Sequence, residues 1–199
     1  MEMRFVPVKV WLYSGLLAVV LHVLGGMLMD YVLWKGGFAY KVMGGQFALL
    51  LGWVWFLIVV GVVLVRLRRA YYLDVVRVIG WVMGVAMVSA PLKAAGEIAM
   101  APILSAEYEA YPARRAAELR PYLRAREVPE TRIDSLIAFQ NKLFHEYRLR
   151  QRQWHLNTWD KLKVQAILGL ILGLILGLMV RGGAFGPSGP ADETAKGGA

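Results

Sequence analysis

The chain has 199 residues, is 58% hydrophobic and only 19% charged, and carries a formal net charge of +9. Ordinary soluble domains are about 45–50% apolar and about 25% charged, and here the apolar excess is gathered into long uncharged windows. A soluble globular enzyme, a disordered tail protein and a nucleic-acid-binding domain are excluded as first readings, and the chain reads as an integral membrane protein.

Residues 10–29 hold no Asp, Glu, Lys or Arg, and their 20 residues suffice to span a hydrocarbon core of about 30 Å. Arg4 and Lys9 precede this stretch and Asp30 ends it. The run is longer than a signal-peptide core, and Gly25-Gly26-Met27 is no small-x-small cleavage site, so an uncleaved helix is expected. A second span covers residues 42–65 and stops at Arg66, Arg68 and Arg69. The third, about 78–104, is less orthodox because Pro91, Lys93 and Glu97 lie inside it.

Between that span and the last lie residues 105–163, a mainly polar insertion. Pro112 and Pro121 are expected to break its first part into short pieces. From Pro129 the pattern turns helical: Ile133, Leu136, Ile137, Leu143, Phe144 and Tyr147 recur at spacings of three and four, predicting an amphipathic helix over about 129–153. Trp154, Trp159, Lys161 and Lys163 then read as interfacial anchors for a last span over residues 164–181. Residues 182–199, rich in Gly, Ala and Pro, read as a disordered tail. The expected fold class is therefore all-α integral membrane, with four transmembrane helices and a polar helical insertion between helices three and four.

The basic residues lie beside the apolar spans, where they set topology and meet anionic headgroups, so the lipid bilayer is an expected partner and nucleic acid is not. The short loop after span one holds Lys35 and Lys41; that after span two holds Arg66, Arg68, Arg69 and Arg77. This asymmetry puts the second loop and both termini in the cytoplasm of a multi-pass protein, expected in a bacterial inner membrane.

Chemistry-bearing residues are few. Lys93 and Glu97, four apart, share a helix face and can pair. Within a span they can mark an ion path, or they can sit near the headgroups with Lys93 snorkelling. With Ser89 and the Pro91 kink they make the candidate intramembrane polar site. Gly169, Gly173 and Gly177 put three glycines on one face of the last span, and Gly80 with Gly84 gives a shorter matching signal on the third. Such faces let helices pack closely, within the chain or in a homo-oligomer. His22 is alone on an apolar helix and reads as a buried core histidine. His145-Glu146 lacks a second histidine at Leu149, and the chain has no cysteine, so neither a metal nor another cofactor is expected. No nucleophile elbow, phosphate loop or dinucleotide fingerprint occurs, and no catalytic residue is assigned.

The layout resembles a small bacterial membrane family, domain of unknown function 4199 (DUF4199). The resemblance rests on Ser89-Ala90-Pro91-Leu92 near the end of the third span, on the polar stretch from Tyr108 to Tyr147, and on the glycine-rich span from Gly169 to Val180 with Arg181. It covers roughly residues 8–181 and implies four spans but no activity and no catalytic residues. Without a catalytic constellation, the leading functional expectation is a non-enzymatic accessory or scaffold subunit of an envelope complex, with residues 105–163 offering a surface to a protein partner. The alternative is a small transporter or ion-coupled carrier working through Lys93 and Glu97.

Overall fold

The computed structural model describes residues 5–41 and 43–182, and within them the secondary structure is helical. Helix α1 runs Val8–Lys35, α2 Gly44–Ala70, α3 Val75–Met100, α4 Ser105–Arg124, α5 Glu130–Arg152 and α6 Trp154–Arg181. Four of these, α1, α2, α3 and α6, are long and apolar enough to cross a membrane. Their outward side chains are apolar: Leu12, Leu16, Leu24 and Leu28 of α1 are all at least 60% exposed. Apolar surface on this scale fits lipid tails and not water. The expected tail from residue 183 onward, and Val42 at the start of the second span, lie outside the described residues.

The spans differ in length from their apolar windows because helices continue into polar sequence. α3 starts at Val75, where Asp74 Oδ1 accepts a hydrogen bond from the Arg77 amide at 3.1 Å as an N-cap, and ends at Met100, with residues 101–104 in a turn. α6 starts ten residues before the apolar window, so residues 154–163 belong to the last helix and not to the insertion. The insertion itself is two helices. Pro112 and Pro121 do not divide the first: both lie inside α4, which is continuous. Each proline removes one backbone hydrogen bond. Packing against α5 holds the helix regardless, through Arg115 Nε to Gln140 Oε1 (3.0 Å) and Arg120 to Glu130 and Asp134 (3.0 and 2.7 Å). Pro129 sits at the N-cap of α5, just ahead of its first turn. The reversal between the two helices contains Glu127 at φ 58°.

By contacts the chain forms two compact units, and each of the four long helices gives residues to both. Among the described residues, the first comprises 5–22, 56–89 and 163–182. Its core is built on the glycine face of α6. A Cβ on Gly169 would fall 2.8 Å from that of Ala86. One on Gly173 would fall 3.2 Å from the Ile79 Cα and carbonyl oxygen, and one on Gly177 would fall 3.0 Å from Val75 Cγ1. The three glycines therefore serve a close approach between α3 and α6 within the chain. Gly80 and Gly84 take no part in it: a Cβ at either would meet nothing within 4 Å. The α3 face that meets α6 carries Val75, Ile79, Met83 and Ala86, and each of the two glycines lies one residue on, about 100° round the helix. Trp81 Nε1 donates to the Trp11 carbonyl at 3.0 Å, and His22, buried, meets the Phe56 ring edge-on at 4.7 Å. Arg68 Nη1 donates to the Val180 carbonyl (2.8 Å), satisfying an end group of α6.

The second unit comprises Val23–Trp55 and Ala90–Leu162. Its aromatic core centres on Trp34, with Tyr108 edge-on at 4.6 Å, Tyr111 at 5.7 Å and Phe144 at 6.3 Å. Tyr111 stacks on Phe144 at 4.0 Å, and the Arg148 guanidinium lies 3.7 Å above the Tyr108 ring centre. This cluster fastens the α4–α5 hairpin to the end of α1. The Lys35–Glu107 ion pair (2.6 Å) adds to it.

Candidate functional site

The polar network of the second unit is drawn from three helices, each supplying two residues four apart, of which all but Gly26 are polar. α1 brings Gly26 and Asp30, α3 brings Lys93 and Glu97, and α6 brings Asn157 and Lys161. An i, i+4 spacing puts both members of a pair on one helix face.

Glu97 is the centre. Its Oε2 accepts a hydrogen bond from Asn157 Nδ2 at 3.1 Å, and its Oε1 is ion-paired with Lys161 Nζ. The Glu97 side chain is 16% exposed and that of Lys161 27%, while Asn157 is buried. The Lys93 stem passes beside Gly26: its Cε would lie 3.7 Å, ordinary van der Waals contact, from a Cβ placed there. The charges of Asp30, Lys93, Glu97 and Lys161 act on one another. Two carboxylates and two ammonium groups make the set formally neutral.

The expected Lys93–Glu97 pair is therefore replaced by a longer-range one. Glu97 takes its salt bridge from Lys161, and among the described residues Lys93 has no carboxylate within 4 Å. The order Lys then Glu is the less favourable orientation within a helix, and α6 offers both an ammonium and an amide to the same carboxylate. Ser89 lies in the other unit, fully buried, and its hydroxyl donates to the Ala86 carbonyl at 2.7 Å. Pro91 sits in mid-helix and α3 continues through it.

The network lies near helix ends. Asp30 is five residues from the end of α1, Glu97 three from the end of α3, and Lys161 seven from the start of α6. At 1.5 Å per residue these are about 5–10 Å from the termini, within two turns. Charges at that depth can reach headgroups or water.

Of the expected anchors, Trp154 and Trp159 are more than half exposed and Lys163 is exposed, whereas Lys161 is spent on Glu97. Sequence reasoning missed Asn157, Asp30 and Gly26 as members of the network. The available signal was the repeated four-residue spacing on three separate helices. It also missed the aromatic core, signalled by Tyr108 and Tyr111 three apart in an otherwise polar stretch.

Outside the spans, the Lys35 ammonium holds the Glu107 carboxyl below the ordinary carboxylate range. Arg124, aided by Arg120, does the same for Glu130. Burial pushes the Tyr108 hydroxyl up. Among the described residues, no group of three His, Asp or Glu side chains is placed to hold a metal ion. Comparison with known proteins gives no match to a family model, to a curated protein or to a solved structure.

Proposed function

We propose that the protein is a non-enzymatic accessory or scaffold subunit of an envelope complex, multi-pass in a bacterial inner membrane with both termini in the cytoplasm. The observation that carries this reading is the α4–α5 hairpin. It is cross-braced by Arg115–Gln140, Arg120–Glu130 and Arg120–Asp134, fastened through Trp34, and has on α4 a broad exposed side with Glu109 and Glu118 at its opposite edges. Much of the chain outside the spans is thus built as a rigid surface, which suits recognition by another protein. The Glu97–Lys161–Asn157 network fits the same reading as a brace between α3 and α6. The topology rests on Arg66, Arg68, Arg69 and Arg77 against Lys35 and Lys41. The resemblance to domain of unknown function 4199 belongs to this proposal and brings no catalytic residue with it.

A carrier is the second reading, favoured by Asp30 and Lys93. Both lie in apolar helices and have no ion-pair partner within 4 Å among the described residues. Copurification from the native membrane separates the two: a stoichiometric protein partner supports the scaffold. A chain recovered alone, with transport abolished by Lys93→Leu, supports the carrier.

A further inference from the structure

Helix α5 is amphipathic in two directions. Its inner side, with Ile133 fully buried and Phe144 in the aromatic core, faces α4 and the end of α1. A second apolar line is left outside. Leu136, Phe139, Leu143 and Tyr147 are 37%, 57%, 47% and 44% exposed, at spacings of three and four that align them along one side of the helix. The predicted single stripe is thus split, Ile133 and Phe144 turning inward while Leu136, Leu143 and Tyr147 stay outside.

Two further features bear on what covers the outer line. The first is charge. Arg132 stands one turn before Leu136 and Arg150 three residues after Tyr147, so an arginine closes each end of the same line; Arg150 also donates from Nη1 to Asp160 Oδ2 at 3.3 Å, and its side chain stays 64% exposed. Over residues 105–153, ten Arg and Lys side chains stand against seven Asp and Glu. The second is continuity. A single residue, Gln153, separates α5 from α6, and α6 opens with the exposed Trp154 and Trp159 before it runs apolar. Trp at that position belongs at headgroup level, so the C-terminal end of α5 is held at the bilayer surface by the chain itself.

We infer that α5 lies on the bilayer, with Leu136, Phe139 and Leu143 set among the headgroups of anionic phospholipid and Arg132 and Arg150 reaching their phosphates. A surface helix with apolar residues on one line and arginines at its ends binds this way, by apolar burial plus attraction to anionic lipid. The arginine stems also cover apolar surface while their heads stay wet. The bilayer then holds the hairpin in one attitude and leaves the outward face of α4 to other partners. This inference is independent of the scaffold reading.

The cysteine-free chain permits a direct test. Full-length protein carrying one spin-labelled cysteine, Phe139→Cys or Leu143→Cys on the line, or Ala138→Cys or His145→Cys on exposed positions away from it, is reconstituted into vesicles of phosphatidylcholine with or without phosphatidylglycerol. All four positions are exposed, so labelling leaves the core intact. Labels at 139 and 143 should be relaxed several-fold more by oxygen than by a water-soluble nickel chelate, and those at 138 and 145 the reverse, with the contrast greater in anionic vesicles. Nickel access at all four positions in both vesicles overturns the inference and leaves the line to a protein. Equal burial with and without phosphatidylglycerol overturns the role given to Arg132 and Arg150.

Discussion

Lys161 reaches Glu97 across 64 residues of chain and closes the ion pair that ties the start of α6 to the end of α3. Both side chains are mostly withdrawn from solvent, so removing one leaves the other uncompensated. Glu97→Leu or Lys161→Leu alone is expected to destabilise the protein by about 1–3 kcal/mol, and the double replacement by clearly less than the sum. Thermal unfolding of the four proteins in one detergent reads this as a double-mutant cycle. Additive losses would mean that the two groups act separately.

The glycine contacts give a sharper contrast. Gly173→Val puts a side chain against the Ile79 backbone and is expected to cost about 1–3 kcal/mol, because neither helix axis can yield cheaply. Gly84→Ala meets open space and is expected to be neutral or slightly stabilising. The melting temperature of each variant decides, and equal losses at 84 and 173 would contradict the observed facing of α3.

Removing the hub of the aromatic core tests how the hairpin is held. Trp34→Ala takes away contacts to Tyr40, Tyr108, Tyr111 and Phe144 and is expected to cost on the order of 2–4 kcal/mol. Hydrogen exchange should rise throughout residues 105–152 while the apolar half of α6 stays protected. Exchange unchanged in the hairpin would show that the ion pairs alone hold it.

Acid acts on the same hairpin with a definite sign. Glu130 and Glu107 have their carboxyls held below the ordinary value of 4.5, by Arg124 and by Lys35 respectively. A depressed folded-state value means the contribution is in force above the unfolded value and is lost as pH falls through the folded one. Protection of α4 and α5 should therefore be flat from neutral pH down to about 5 and decline below about 4. Added salt should lessen the effect at Glu130, whose side chain is 51% exposed. Glu130→Gln should remove part of the acid step. A decline centred near neutral pH would point to other groups.

The four spans were legible because the first, second and last are uncharged apolar runs and the third is one over residues 78–92, and lipid demands little else of a helix. The glycine face of α6 was legible too, since three glycines four apart can only align. Local pattern did not reveal which partner each group would meet. Glu97 has a lysine one turn before it in sequence, yet tertiary packing gives it to Lys161. Gly80 and Gly84 carry the same spacing as the α6 glycines but lie about 100° away from the contact. Pro112 and Pro121 are helix breakers in isolation, and contacts from α5 offset the two hydrogen bonds they remove. The first ten residues of α6 read as the end of the insertion because polar side chains conceal a helix that extends past the apolar window.

The scaffold claim is tested most directly by copurifying the tagged protein from its native membrane in mild detergent, beside a Glu109→Lys/Glu118→Lys variant, with quantitative mass spectrometry. Both glutamates are exposed on α4 and outside any ion pair among the described residues, so the variant should fold and insert normally. The account predicts a stoichiometric partner with the wild-type chain and its loss from the variant. Recovery of both proteins alone, as monomers or as homo-oligomers, would contradict it and turn attention to Asp30 and Lys93.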